Sequence, residues 1–127
     1  MAEHIAIVDD DVSILRAMSR LLREYSFQVQ TYASGREFFN SLKTCRPDCL
    51  ILDLNMGNEM SGLEVLSRLA GAGLSIPTII ATAQNEPGIR HRCELAGAVA
   101  FLVKPCAVDS LLEAIRSVAT SKQTINS

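Results

Sequence analysis

The stretch CLILDLNM, residues 49–56, predicts a buried strand that ends on a carboxylate. Cys49 to Leu52 are apolar without a polar alternation, which is typical of a strand covered on both faces. Asp53 follows directly. Comparable short apolar runs recur along the chain, and the predicted strands are His4–Val8, Phe27–Tyr32, Cys49–Leu52, Pro77–Ala81 and Ala100–Val103.

Amphipathic segments separate these strands and predict helices. Ser34 and Glu37 form a capping-box pattern for the second helix, which should end before Pro47. The fourth helix is expected to begin with Pro87 in its first position and to be capped by Gly97. The predicted helices are Ile14–Tyr25, one from Ser34 past Leu42, Gly62–Leu69 closed by residues 71–73, Pro87–Ala96 and Val108–Val118. Alternation of buried strands with helices predicts a doubly wound α/β fold, with a parallel sheet covered on both faces.

The length of 127 residues and the 48% hydrophobic content fit one folded domain, expected over residues 1–121, with a polar tail over 122–127 that should fray. A net charge of -2 argues against direct binding of nucleic acid. The sequence shows neither an apolar run of roughly 20 residues nor a secretory leader, so we expect a cytoplasmic protein without membrane contact.

The cysteines and histidines do not predict a zinc site. The four cysteines, Cys45, Cys49, Cys93 and Cys106, contain no CxxC pair, and we expect reduced thiols. His4 and His91 lie far apart in sequence, without a Cys or Glu at ligand spacing, and are expected at strand ends or at the surface.

Polar residues follow four of the predicted strands, where open α/β sheets bind ligands. They are Asp9, Asp10 and Asp11, then Asp53, Thr82 and Lys104. Carboxylates brought close together repel one another unless a cation lies between them, and oxygen ligands alone favour magnesium. Such a site suits phosphoryl transfer, with Asp53 as nucleophile, Lys104 supplying charge and Thr82 a hydroxyl.

Each of these residues also has a purely local explanation. An aspartate triplet after a strand is often a turn and a helix cap, and Asp11 is expected to cap the first helix. Thr82 can bond its own backbone at a strand end, and Lys104 can be a solvated loop charge. The argument for a site is that all these residues fall on one edge of one sheet.

Four motifs together resemble the receiver domains of two-component response regulators: IVDDD at 7–11, LILDLNM at 50–56, IIATA at 79–83 and FLVKP at 101–105. The resemblance covers nearly the whole chain and implies the flavodoxin-like strand order 2-1-3-4-5. It also implies a cis peptide bond between Lys104 and Pro105.

The same resemblance assigns roles to residues. It makes Asp53 the phosphoacceptor, with Lys104 and Thr82 as its assisting groups. It places Mg²⁺ between the carboxylates of Asp9, Asp10 and Asp53 and the backbone carbonyl of Asn55. It makes Thr82 and Phe101 the pair that couples phosphorylation to a change of surface, although core packing explains Phe101 equally well.

The implied partners are those of a signalling domain rather than of an enzyme. A histidine kinase or a phosphotransfer protein would donate the phosphoryl group, and the surface of helix 4, strand 5 and helix 5 would change its binding and can support a homodimer. The stretches VQTYASGREFF at 29–39 and LLEAI at 111–115 resemble receivers that precede a helix-turn-helix output domain.

The loop after Asp53 departs from the family pattern. Gly57 stands where receivers usually have a proline after methionine, and the loop has one extra residue before Gly62. Glu59 adds a negative charge expected near the incoming phosphate. Cys106 stands where the family often has an aromatic residue.

Two other functions compete with phosphoacceptance. One is a receiver-like interaction module with impaired phosphorylation, which only the unusual loop supports. The other is a magnesium-dependent hydrolase, which generally needs an acid two residues after its nucleophile, where this chain has Asn55.

Overall fold

The part of the chain that the structure describes folds as five strands alternating with five helices. The computed structural model describes residues 3–57 and 59–126, with the side chains of helix and strand residues given as far as Val118. In chain order the elements are β1 His4–Val8, α1 Val12–Glu24, β2 Gln28–Tyr32, α2 Gly35–Ser41, β3 Cys49–Leu52, α3 Gly62–Gly71, β4 Thr78–Thr82, α4 Ile89–Leu95, β5 Ala100–Val103 and α5 Val108–Asn126.

All the strands are parallel and form one sheet in the order β2-β1-β3-β4-β5. This confirms the predicted doubly wound α/β fold and its strand order. β3 pairs with β1 on one side and β4 on the other, so its apolar residues have helices on both faces and neighbouring strands on both edges. Leu50 and Leu52 are completely buried, and burying each such side chain contributes about 1.5–3 kcal/mol.

The two faces of the sheet pack against different helices. One face, which includes Ile7 and Ile51, packs against the apolar stripes of α1 and α5. The other face, which includes Val8 and Leu52, packs against α2, α3 and α4. Because successive strand residues point to opposite faces, an uninterrupted apolar run fills both cores at once.

Side chains cap three of the helices. Asp11 caps α1 by accepting hydrogen bonds from the backbone N–H groups of Ser13 and Ile14, as predicted. Ser34 caps α2 through the N–H of Glu37, while the Glu37 carboxylate reaches back to Ala33, which confirms the capping pattern. Ser61 caps α3 through Glu64, a contact that the sequence analysis did not identify.

Helix α4 begins later than predicted. Pro87 is not its first residue, because the chain enters the helix through Gly88 at a φ of 85°, and the helix starts at Ile89. Glycine adopts this left-handed conformation without the steric cost of a Cβ atom. At the other end the prediction was right: Gly97, at a φ of 114°, follows the C-cap residue Ala96.

Smaller differences concern element ends. β2 begins at Gln28 rather than Phe27, β4 covers Thr78–Thr82 rather than Pro77–Ala81, and α3 continues through Gly71 before Gly73 turns the chain. α5 extends to Asn126 and so includes most of the segment predicted as a tail, while Ser127 lies outside the described residues. The division into a domain and a tail remains a prediction.

The four cysteines are thiols rather than disulfides, as expected. His4 opens β1, and His91 is exposed on α4, which also agrees with the prediction. Of the described helices, none combines the length and the apolar character needed to cross a bilayer.

Candidate functional site

Backbone hydrogen bonds position the polar residues at the carboxyl edge of the sheet. The N–H of Asp53 donates to the carbonyl of Val8 at 3.1 Å, which ties the end of β3 to the end of β1. The N–H of Lys104 donates to the carbonyl of Thr82 at 2.8 Å and ties β5 to β4. The side chains at these strand ends are therefore held by the sheet itself rather than by flexible loops.

Three carboxylates converge there. One oxygen from each of Asp9, Asp10 and Asp53 lies within 4.8 Å of the other two. Asp9 and Asp53 are buried, with 3% and 9% of their surface exposed, whereas Asp10 is exposed. Asp9 is further fixed because its Oδ1 accepts a hydrogen bond from the N–H of Asp11 at 2.9 Å.

Lys104 supplies the positive charge of this cluster. Its ammonium group donates a hydrogen bond to Asp9 Oδ2 and lies 3.6 Å from Asp53 Oδ2. The Lys104 side chain is only 16% exposed, so it is not the solvated loop charge of the local explanation. The structure thus brings Lys104 together with the carboxylates at one edge of the sheet.

The cluster fits a divalent cation. Three carboxylates and one ammonium group leave two formal negative charges uncompensated. Within the described part of the chain, Asp53 Oδ1 is a buried side-chain oxygen without a hydrogen-bond partner. A buried acceptor of this kind is costly unless something binds it. An all-oxygen donor set of this charge suits Mg²⁺ rather than a softer metal.

Thr82 and Phe101 share one face of the sheet. Phe101 pairs with Ile80 in the register of β4 and β5, and Thr82 follows Ile80 by two residues, so the hydroxyl and the ring lie on the same face in adjacent strands. Phe101 is packed in the core beneath α4 and is 9% exposed. Thr82 is the last residue of β4, and its hydroxyl accepts a hydrogen bond from the N–H of Gln84 at 3.2 Å. The side-chain hydrogen bond given for Thr82 is therefore with the neighbouring Gln84 and not with the carboxylates.

Asn55 and Gly57 form the first part of the loop after β3. Asn55 is exposed, and its Oδ1 accepts a 3.4 Å hydrogen bond from the N–H of Gly57. Gly57 has a φ of 67°, a left-handed conformation, and a Cβ atom added there would lie 3.5 Å from Asp10 Oδ2. The proline that receivers usually have at this position is locked near a φ of -65° and does not fit this conformation. The glycine therefore allows a different path beside the carboxylates.

Gly62 closes the same loop. Its N–H donates to the carbonyl of Leu54 at 2.9 Å. A Cβ atom on Gly62 would lie 2.4 Å from the backbone oxygen of Asp53 and 2.8 Å from Leu54 Cα, which is sterically impossible without movement. The start of α3 therefore packs directly against the backbone of the residue that carries the central carboxylate.

Met60 anchors the middle of the loop to α2, a contact that the sequence analysis missed. The partly buried Met60 packs against the core, and a Cβ atom on Gly35 would lie 3.1 Å from its sulfur. The neighbouring Glu59 is exposed and lines a shallow groove between α2 and α3 together with Arg36 and Arg68. Asn58 lies outside the described residues.

The end of β5 completes the site. The Lys104–Pro105 peptide bond is cis, as predicted, and Cys106 just beyond it is partly buried. The carboxylates and Lys104 follow apolar strands and were identifiable by that pattern alone. The contacts of Gly62 and Met60 join segments that no local pattern connects.

Comparison with known proteins agrees with this geometry. The family model described as the response regulator receiver domain matches residues 5–116. The response regulator protein TmoT of Ectopseudomonas mendocina is 39% identical over 113 residues, which are 89% of this chain and 51% of the relative. The response regulator protein TodT of Pseudomonas putida is 38% identical over 116 residues, 91% of this chain and 51% of the relative. The chain thus spans about half the length of these relatives.

A solved structure supports the same assignment. The chemotaxis protein CheY4 of Vibrio cholerae superimposes with a TM-score of 0.85 and 28% sequence identity, covering 93% of this chain and 99% of that protein. The fold, the carboxylates at the strand ends and the family match all agree. The chain belongs to the receiver domain family of response regulators, which are signalling domains.

Proposed function

We propose that this receiver accepts a phosphoryl group on Asp53 from a histidine kinase or a phosphotransfer protein, in a reaction that requires Mg²⁺. The observation that carries the proposal is the environment of the Asp53 carboxylate. One of its oxygens lies near the Lys104 ammonium, and the other is buried without a partner beside two more carboxylates. An acceptor poised in this way has a site for a cation and for an incoming phosphoryl group.

The magnesium ion would be held by the carboxylates of Asp9, Asp10 and Asp53 and by the backbone carbonyl of Asn55. When bound, it neutralises negative charge on the carboxylates and on the phosphoryl oxygens. The two formal negative charges left after Lys104 is counted match the charge of the ion. Asn55 is exposed at the start of the loop that follows β3.

The residues of this chain then have separate tasks. A carboxylate oxygen of Asp53 forms the new P–O bond as the P–N bond of the donor's phosphohistidine breaks; the electron pair of that bond stays on the leaving imidazole nitrogen, which takes up a proton from water. Lys104 stabilises the charge that spreads over the phosphoryl oxygens in a loose transition state. The Thr82 hydroxyl donates a hydrogen bond to a phosphoryl oxygen. Its proton is available for this bond, because the hydroxyl oxygen only accepts in the hydrogen bond from the N–H of Gln84.

The change at Thr82 would be transmitted to Phe101 and to the surface of α4, β5 and α5. These two residues share a sheet face and are offset by two residues across adjacent strands, so a shift of one changes the packing of the other. Among the described residues, six large apolar side chains are exposed, and four of them, Leu95, Val99, Val103 and Val108, lie on this surface.

We propose a second copy of this chain as the occupant of that surface once Asp53 is phosphorylated. Val103 lies on the edge strand of the sheet, Leu95 ends α4, Val108 begins α5, and Val99 lies in the segment between α4 and β5. Sedimentation velocity before and after phosphorylation tests this: Val99→Glu should weaken any dimer, whereas Val12→Glu, which changes an equally exposed residue on α1, should not. A phosphorylated wild-type protein that stays monomeric would exclude the homodimer.

Several consequences of the resemblance remain predictions. The chain acts as a signalling domain in the cytoplasm and not as an enzyme with its own substrate, since Asn55 cannot serve as the general acid of a hydrolase. The matched part is about half of the relatives' length, and the stretches at 29–39 and 111–115 resemble receivers that precede a helix-turn-helix domain, so we propose a DNA-binding output domain as the partner of this receiver. An interaction module that does not take phosphate is the alternative.

The decisive experiment measures the intact mass of the protein after incubation with Mg²⁺ and a small acyl phosphate donor. Wild type should gain one phosphoryl group, whereas Asp53→Asn and the magnesium-free sample should gain none. An established receiver treated alongside shows that the donor works. A wild-type mass that does not change, while the reference receiver is modified, would favour the interaction module instead.

A further inference from the structure

The thiol of Cys45 and the imidazole of His4 meet at the amino end of the sheet, away from the carboxylates. Cys45 Sγ lies 3.3 Å from His4 Nδ1, although the two residues are 41 positions apart in sequence. The thiol is exposed, in the middle of the segment between α2 and β3. From this pair we propose that Cys45 is a modification site whose thiol exchanges with small disulfides, assisted by His4.

Backbone contacts hold both partners in place. The N–H of His4 donates to Asp48 Oδ2 at 2.9 Å, and the N–H of Asp48 donates to the carbonyl of His4 at 2.8 Å. The N–H of Cys45 donates to the carbonyl of Ser41 at 2.9 Å, which fixes the thiol relative to α2. The sulfur and the ring nitrogen are therefore neighbours because of the fold and not through the local sequence.

A thiol beside an imidazole is the arrangement of a nucleophile and its base. In the tautomer that carries its hydrogen on Nε2, His4 Nδ1 accepts the proton of Cys45, and the resulting thiolate is the reactive species. The thiolate attacks one sulfur of a small disulfide, the S–S bond of that disulfide breaks, and a mixed disulfide forms on Cys45. The departing thiolate takes up the proton from His4, so electrons and protons balance without another oxidant.

The other cysteines provide contrasts within the same protein. Cys49 and Cys93 are completely buried, and burial raises the pKa of the Cys93 thiol, with a smaller lowering by Arg92 and a raising by Glu94. Cys106 is partly exposed beyond the carboxyl end of β5. It therefore serves as the internal reference for a reagent that can reach the surface.

Charges near the pair come from the segments that meet there. Lys43 and Arg46 flank Cys45 in sequence, whereas Glu3 and Asp48 accompany the start of β1 and the approach to β3. These charges are of both signs. The rate advantage that we propose therefore depends on the base His4 rather than on a positive field.

The test uses glutathione disulfide as the probe on the intact protein. Peptide mass mapping gives the rate of mixed-disulfide formation at each cysteine, for wild type, Cys45→Ser and His4→Gln. An ordinary thiol is only a few per cent ionised near pH 7, so assistance by a base has room to raise the rate roughly tenfold. Cys45 should react about tenfold faster than Cys106 in wild type, and His4→Gln should remove most of that advantage.

The pH dependence separates base assistance from simple exposure. At about pH 9.5 an ordinary thiol is mostly ionised, so wild type and His4→Gln should react at similar rates. Equal rates of Cys45 and Cys106 near pH 7 in wild type would overturn the proposal, even if His4→Gln failed to fold. A folded His4→Gln protein that keeps the full rate near pH 7 would overturn it as well. Phosphorylation of Asp53 is measured separately, so neither result depends on the proposed function.

Discussion

The carboxylate cluster is positioned by strand ends, whereas the loop beside it, within residues 55–61, is positioned by glycine backbones and by two methionines, Met56 and Met60, that pack into the core. In the cluster, hydrogen bonds between neighbouring strands fix Asp53 and Lys104. In the loop, Gly57 adopts a left-handed conformation and Met60 packs against Gly35 of α2. The two regions touch, since Gly57 approaches Asp10. The carboxylate cluster thus lies on strand ends held by the sheet, whereas the loop beside it carries most of the departures from the family pattern, with Cys106 as a further one beyond β5.

The largest effect on phosphorylation, apart from loss of the acceptor itself, should come from the cluster. Lys104→Met removes the ammonium group near Asp9 and Asp53, and we expect the rate of phosphorylation by a small donor to fall on the order of 100-fold. Lys43→Met, at an exposed position after α2, is the control and should leave the rate unchanged. A loss below about threefold would mean that Lys104 does not stabilise the transition state.

Gly62→Ala should have the next largest effect, because it disturbs the backbone at the end of β3, where Asp53 lies. The new methyl group would meet the backbone of Asp53 and Leu54, so we expect a loss of about 1–3 kcal/mol in the free energy of unfolding and slower phosphorylation. Gly71→Ala in the same helix meets no atom within 4 Å. That control should be neutral or stabilising by about 0.5–1 kcal/mol, as measured by urea unfolding. Equal stability of the two variants would contradict the close approach.

Gly57→Ala distinguishes backbone strain from an effect on the site. Gly57 and Gly73 have nearly the same φ, 67° and 71°, so an alanine at either position should cost about 1–2 kcal/mol of stability. Only Gly57 lies next to Asp10, and only Gly57→Ala should change the Mg²⁺ affinity measured by calorimetry. An equal Mg²⁺ affinity in both variants would show that the loop does not influence the metal site.

Glu59→Gln should have the smallest effect. The side chain is exposed in the groove with Arg36 and Arg68, so its charge is screened, and we expect phosphorylation to accelerate by less than about twofold. Glu64→Gln, in the same groove, is the matched control. Acceleration of several-fold for Glu59→Gln alone would place its charge near the incoming phosphate, as the sequence had suggested.

Prediction from sequence succeeded where one physical cause dominates. An apolar run followed by a polar residue identifies the end of a buried strand, and this rule located Asp9, Asp53 and Lys104. It placed the end of β4 one residue too early, at Ala81, because a buried threonine such as Thr82 continues a strand as readily as an apolar residue does. The start of α4 was wrong because the apolar periodicity is weak there and a left-handed Gly88 has no side chain to mark the cap.

Local sequence patterns could not predict the contacts between segments that are distant in sequence. The approach of Gly62 to Asp53 depends on how α3 packs against the end of β3, and the packing of Met60 on Gly35 joins the loop to another helix. The pairing of Cys45 with His4 likewise arises from the three-dimensional fold. Each of these depends on the relative placement of elements, which local patterns of hydrophobicity and capping do not specify.

The hydrogen bond from Gly62 to Leu54 has a consequence for how this loop can change over evolution or in the laboratory. It joins the two ends of the segment 55–61, so we expect residues inserted in between to leave the position of Asp53 unchanged. Even doubling the length of a flexible loop costs only about 0.6 kcal/mol in closure entropy. We therefore expect insertions to be tolerated there as long as Gly62 is kept, which would make the segment a place to graft a recognition peptide next to the carboxylates.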